Sequence, residues 1–208
     1  MSHGPVGRVT FLSMVAFADL PPTFTTGTAR ANGIHPRDLY DARDSGVIVE
    51  LSRGVFRHAD APLASFPDLL AVTFRSPAAI VCLLSAAAAH DMTDEIPSAV
   101  QIAVPRTSRA PQISFPPTTA FRFEPSTFEL GLTRIEAAPG EHVRVYNPAR
   151  TVADLMRLRH RIGEPQALAA LHRYLRRQDS SPAELVQIAA VLGVEGPVLH
   201  AVDVASAG

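Results

Sequence analysis

The stretch IHPRDLYDARDSGVIVELSRGVFR, residues 34–57, decides the fold of the N-terminal part of the chain. Pro36 stands at the first position of a predicted helix and Gly46 just beyond its end, where proline and glycine are favoured. The β-branched run at 47–51 then predicts a strand, and residues 52–54 predict a tight turn into a return strand. The stretch therefore predicts a helix followed by a two-stranded ribbon.

Two further helices are predicted before this stretch. Residues 8–18 place apolar side chains at helical spacing. Thr25 or Thr26 can cap a second helix that runs through Asn32. The order helix, helix, turn, helix, ribbon is that of a winged helix-turn-helix, which we expect over about residues 8–58.

The rest of the chain mixes helices and strands. Helices are predicted at 66–74, 78–88, 147–159, 164–177 and 181–193, and strands at 100–104, 120–123 and 143–146. The predicted fold class is therefore α+β, with a winged helix-turn-helix domain at 1–60. A mixed α/β domain with a helical C-terminus follows at 61–208.

The composition describes a globular protein, with 47% hydrophobic and 19% charged residues among 208. No apolar run reaches 18 residues, so no membrane span is expected, and no signal peptide is recognised. Cys82 is the sole cysteine and lies in an apolar run, which predicts a buried hydrophobic residue. These features together predict a cytoplasmic protein.

Lysine is absent, and all 19 basic residues are arginine. P-loop hydrolases, protein kinases and the lysine-dependent nucleases of the common type thereby lose a required residue. Ser85 and His90 lie five positions apart and are not expected to form a nucleophile pair. His90, Asp91, Asp94 and Glu95 match no standard metal-binding spacing. We therefore predict a binding protein without catalytic residues, metal or cofactor.

The predicted DNA-binding surface lies on the second and third helices and the ribbon. The third helix turns Leu39 and Ala42 inward and offers its other face to the major groove. Threonine hydroxyls and backbone N–H groups at the start of the second helix are suited to phosphate. The predicted DNA contacts are Thr25, Thr26, Arg30, Arg37, Tyr40, Arg43, Arg53 and Arg57.

The charge is unevenly distributed. Residues 1–60 carry six arginines and six acids, and residues 179–208 carry four acids without an arginine. Residues 144–177 carry eight arginines against Asp154 and Glu164. Helix-end effects account for part of this basic run, and the remainder predicts a surface for a partner protein or nucleic acid. The predicted partner contacts are Arg144, Arg150, Asp154, Arg157, Arg159, Arg161, Arg173, Arg176 and Arg177.

Three segments in the same order resemble the AbiEi-type antitoxins of type IV toxin–antitoxin systems. They are DLYDARDSGVIVELSRGVFR (38–57), SAAAAHDMTDEIPSAVQIAVPR (85–106) and VRVYNPARTVADLMR (143–157). The chain departs from the family pattern at Asp91, where glycine is common. The resemblance is to a mycobacterial or actinobacterial type of member.

The resemblance implies an antitoxin encoded beside a nucleotidyltransferase-like toxin. Its N-terminal domain would bind operator DNA and repress its own operon, and its second domain would neutralise the toxin through a stable or a transient contact. The neutral charge of residues 1–60 predicts a modest affinity, raised by dimerisation on two half-sites. The alternatives are a nucleic-acid enzyme, which the missing lysine disfavours, and a regulator or protein-interaction module without a toxin.

Overall fold

The computed structural model describes residues 17–206, and the predicted helix at 8–18 lies outside these residues except for its end. Residues 17–58, here called the head, contain a three-stranded antiparallel sheet in the order β1-β3-β2. Its elements are β1 (Thr23–Thr25), α1 (Thr26–Ala31), α2 (Pro36–Asp44), β2 (Ile48–Ser52) and β3 (Val55–His58).

Local signals set the ends of both described head helices as predicted. The Thr25 side chain accepts the backbone N–H of Thr28 at 3.1 Å and caps α1. Gly33 and Gly46 follow α1 and α2 with φ of +80° and +78°, a conformation that costs glycine least. The short strand β1 was not predicted. It forms because Phe24 pairs with Phe56 and fills the core of the head.

The remaining described residues, 59–206, form the body, which is built on a five-stranded sheet in the order β6-β5-β4-β8-β7. The pairs β4–β8 and β5–β6 are parallel, and β4–β5 and β7–β8 are antiparallel. The strands are β4 (Ile80–Val81), β5 (Val100–Pro105), β6 (Thr118–Phe123), β7 (Leu132–Ala138) and β8 (Glu141–Tyr146).

Helices cover both faces of this sheet. On one face, Leu70 and Val72 of α3 pack against Ile102, Val104 and Val145. The other face carries the larger core, to which the C-terminal helices contribute. The body helices are α3 (Pro67–Arg75), α4 (Leu83–Ala89), α5 (Pro148–Arg157), α6 (Arg159–Ile162), α7 (Glu164–Leu175), α8 (Pro182–Val191) and α9 (Glu195–Ser206).

The mixed α+β class is confirmed, but several elements differ from the prediction. The expected helix at 78–88 is wrong in its first part, because Ile80–Val81 forms a central strand that pairs with both β5 and β8. The expected helix at 147–159 ends at Arg157. Strand β7 and helix α9 were not predicted. The division into domains at residue 60 stays a prediction.

Within residues 17–206, we find no helix with both the length and the apolarity needed to cross a membrane.

Candidate nucleic-acid interface

Helix α2 presents a free outer face. His35 caps the helix, and its Nδ1 accepts the backbone N–H of Arg37 at 3.2 Å. Leu39 and Ala42 are buried in the head, as the periodicity predicts. Tyr40 is 42% exposed and Arg37 is exposed. The helix is therefore anchored by one face and accessible by the other.

Arg43 joins α2 to the ribbon formed by β2 and β3. Its Nη1 donates to Glu50 Oε2 at 3.0 Å, and its Nη2 donates to Asp44 Oδ1 at 2.8 Å. Its guanidinium carbon lies 4.8 Å from the centre of the Tyr40 ring. The second oxygen of Glu50 accepts the N–H of Gly54 in the ribbon turn at 3.0 Å. Arg43 therefore fixes the angle between α2 and the ribbon, and two carboxylates already balance its charge.

The threonines predicted to bind phosphate take part in contacts within the head. The Thr25 hydroxyl lies 3.0 Å from that of Thr28, besides its role as a helix cap. The Thr26 hydroxyl donates to the Gly54 carbonyl at 3.4 Å. Their role toward DNA stays a prediction. The exposed cations of the predicted set are Arg30, Arg37 and Arg53.

Arg57 does not belong to the exposed set, and its predicted DNA contact is wrong. Its side chain is 8% exposed and faces the body. It donates to the hydroxyl of Thr23 and the carbonyl of Pro62, both at 2.6 Å, and forms an ion pair with Glu141. A guanidinium held on all sides by the protein cannot reach a phosphate.

The basic run contains a buried ion cluster. Arg150 and Asp154 are 0% exposed, and Arg150 Nε donates to Asp154 Oδ2 at 2.8 Å. Arg157 donates to the other carboxylate oxygen at 2.7 Å. The Arg150 guanidinium also donates to the Thr127 and Leu130 carbonyls and lies 4.4 Å from the centre of the Tyr146 ring. The predicted partner contact by Arg150 and Asp154 is therefore wrong, because both are sealed in the core.

Four of the other six arginines of the run are paired with acids, two of them with acids outside the run and distant in the sequence. Arg144 donates to Glu129 at 2.9 Å, and Arg173 forms a two-point contact with Asp94. Arg159 lies 3.6 Å from Glu164, and Arg177 binds Asp179 and the His90 carbonyl. The run therefore carries much less free charge than its sequence indicates. Arg161, stacked 4.7 Å from the centre of the Phe121 ring, and Arg176 are exposed.

The polar residues weighed for catalysis have structural roles. The Ser85 hydroxyl accepts the N–H of Gln101 at 2.9 Å, and His90 Nε2 lies 2.8 Å from the Tyr146 carbonyl. Burial lowers the pKa of His90, because it disfavours the charged form of the ring. Burial also raises the pKa of the Cys82 thiol well above its usual range, so this thiol is a poor nucleophile.

Comparison with known families finds a match for the head. Residues 14–58 match the family model described as "Transcriptional regulator, AbiEi antitoxin". The resemblance to the AbiEi antitoxins is thereby confirmed. The match ends at His58, the last residue of β3, so the AbiEi segment coincides with the head.

A solved structure shares the fold of most of the chain. The crystal structure of the RV2827C protein from Mycobacterium tuberculosis matches with a TM-score of 0.62 and 14% identity, covering 93% of this chain and 75% of the other. At this identity the likeness concerns the fold alone. The comparison with curated proteins finds no match.

Proposed function

We propose that this protein is an AbiEi-type antitoxin and autorepressor that binds the DNA of its own operon through the head. The head would act as a winged helix-turn-helix, with α2 in the major groove and the ribbon along the backbone. The observation that carries the proposal is the exposed face of α2, which presents Arg37 and Tyr40. This helix lies in the segment that matches the AbiEi family model. The ribbon of the same segment packs against the body.

Each exposed group has a distinct expected role. Arg37, near the start of α2, is placed to read a base edge, because recognition helices use their N-terminal residues for this purpose. Arg53 lies in the turn of the ribbon and suits a phosphate. Asp38, Asp41 and Asp44 lie on the same exposed side and oppose phosphate binding. The proposed complex therefore has a modest affinity per head and gains from occupying two half-sites.

The second proposed activity is neutralisation of a cognate nucleotidyltransferase-like toxin by the body. Arg161 and Arg176 are exposed cations on the helical side of the body, and Arg157 is partly exposed beside them in sequence. Arg161 and Arg176 remain from the predicted basic surface after the buried and paired arginines are removed, whereas Arg157 is paired with Asp154. We propose that Arg161 and Arg176 contact the toxin.

A mobility-shift assay with promoter DNA at low salt tests the DNA proposal. The wild type should shift the DNA below micromolar concentration, and Arg37→Ala with Tyr40→Ala should weaken the shift at least tenfold. Arg122→Ala removes an exposed arginine from β6 of the body and serves as the control. The absence of a shift at micromolar wild-type protein would contradict the proposal.

Co-expression with the neighbouring toxin gene tests neutralisation. Wild-type protein should restore growth, and reversal of the exposed Arg161 and Arg176 to glutamate should abolish this rescue. If that variant still restores growth and still binds DNA, these arginines contact neither partner and form only a solvated surface. The exposed acids on α2 favour one alternative, a head that binds a protein instead of DNA, and rescue without any DNA shift would support it.

A further inference from the structure

The face of the head sheet that is turned away from the core of the head is covered by the body. Side chains alternate along β3, so that Phe56 enters the core of the head while Val55 and Arg57 point the other way. Thr23, Ser52 and Val55 are nevertheless only 1%, 3% and 1% exposed. The body buries them, with α3 packed against β2 and β3. The two parts of the chain therefore share a closed interface.

Arg57 is the polar centre of this interface. Its guanidinium binds Thr23 on β1, the Pro62 carbonyl in the segment between β3 and α3, and the Glu141 carboxylate at the start of β8. We call these four residues the Arg57 cluster. The Glu141 side chain is 13% exposed, so both ion-pair partners are largely removed from water. One side chain of the head thus binds two separate segments of the body.

Two more hydrogen bonds hold the far end of the ribbon. The Ser52 hydroxyl donates to the Phe115 carbonyl at 2.6 Å, and Arg75 Nη1 donates to the Arg53 carbonyl at 3.1 Å. The ribbon is therefore fixed to the body at its base by Arg57 and at its turn by these bonds. The outer face of α2, with Arg37 and Tyr40, stays exposed.

We infer that Arg57 is a positioning residue for DNA binding, which acts through Glu141 by holding the head at one angle on the body. This inference rests on the proposed function for its DNA readout. It separates Arg57 from Arg53, its neighbour on the ribbon, although the sequence presents both as basic DNA contacts. Glu141 thereby becomes a residue on which DNA binding depends, although it lies 84 positions away and carries a charge that DNA repels.

The substitution Glu141→Gln gives a test in which two explanations predict opposite signs. If charge alone matters, removing an acid tightens DNA binding. If the Arg57 cluster positions the head, the same substitution weakens binding, and we expect at least a fivefold higher Kd. Glu129→Gln removes a more exposed acid of the body, paired with Arg144, and is the matched control. An unchanged or lower Kd for Glu141→Gln would overturn the inference.

The salt dependence of binding separates positioning from contact. Loss of an arginine that touches a phosphate lowers the slope of log K against log salt by about 1. Arg57→Gln should weaken DNA binding and leave this slope unchanged. Arg53→Gln should weaken DNA binding and lower the slope. A slope lowered equally by both variants would place Arg57 on the DNA and overturn the inference.

Hydrogen exchange decides the matter without DNA. In full-length protein, Glu141→Gln and Arg57→Gln should each speed amide exchange in peptides covering residues 59–66, while peptides from α7 keep their wild-type rates. Unchanged exchange at 59–66 in both variants would overturn the inference. If the wild type fails to bind DNA, the proposed function fails, and the exchange rates alone still show whether the Arg57 cluster holds the head.

Discussion

Arg150 and Asp154 form an ion pair with no solvent exposure, one helical turn apart on α5. Their spacing in the sequence indicates an ordinary surface pair, yet the guanidinium also binds the carbonyls of Thr127 and Leu130. The pair thus fastens the segment before β7 to the C-terminal helices. An exposed pair at this spacing contributes only a few tenths of a kcal/mol, about 0.3–0.5. A buried one behaves differently when a partner is removed.

We expect Asp154→Asn to lower the free energy of unfolding by about 3–5 kcal/mol, because it leaves Arg150 charged and unpaired in the core. Urea unfolding measures the loss. Glu129→Gln breaks the exposed pair with Arg144 and should cost less than about 1 kcal/mol. Equal effects of the two substitutions would contradict the distinction between buried and exposed pairs.

Gly131 should be intolerant of any side chain. Its φ is +71°, and an added Cβ would lie 2.5 Å from the Cβ of Arg150. The backbone conformation alone costs an alanine about 1–2 kcal/mol, and the clash adds to this. Gly140→Ala has a similar φ of +76° without a neighbour within 4 Å and is the control. The thermal unfolding midpoint of Gly131→Ala should lie well below that of Gly140→Ala. The reverse order would contradict the close approach of Gly131 to the Arg150 side chain.

His90 should make the protein less stable in mild acid. Burial lowers its pKa in the folded state below the value of about 6.5 expected in the unfolded chain. Below the unfolded pKa the unfolded state binds more protons than the folded state. The free energy of unfolding therefore falls as the pH decreases from about 6.5 toward the folded pKa. Urea unfolding at pH 7.5 and pH 5.5 should show a smaller loss for His90→Gln than for the wild type. An identical loss would assign the acid sensitivity to other groups.

Arg53→Ala should weaken binding to specific and unrelated DNA alike and lower the salt slope by about 1, as expected for a phosphate contact. Arg37→Ala should instead weaken binding to the operator more than binding to unrelated DNA, because a base contact carries the sequence preference. Fluorescence anisotropy with both DNAs over a salt series measures both effects. Equal loss of operator preference in the two variants would contradict these assignments.

The head was largely predictable from the sequence because its signals are local. Thr25 and His35 cap helices within three residues of themselves, and Gly33 and Gly46 end them. The short strand β1 escaped prediction, since a three-residue segment acquires its conformation only by pairing with β3. The central strand β4 escaped for the same reason, with partners on both sides.

The charged residues were the least predictable. Eight arginines in a short stretch suggested an open basic surface, but Arg144 and Arg173 meet Glu129 and Asp94, and the latter is 79 positions away. Arg57 likewise meets Glu141 across 84 positions. Pairing at such separations depends on tertiary structure, which neither periodicity nor spacing reports. The exposed face of α2 was predictable because a single helix determines it.

The buried back of the head sheet limits how this protein can be re-engineered. A fragment cut at residue 60 would leave Thr23, Val55 and Arg57 in water, where the full chain covers them. Such a fragment is poorly suited to fusion with another protein, because this surface would be uncovered. A transplantable unit would also need α3 and the hairpin of β7 and β8, which supplies Glu141. The smallest part of the chain that keeps this interface covered is therefore considerably larger than residues 14–58, which the family model matches.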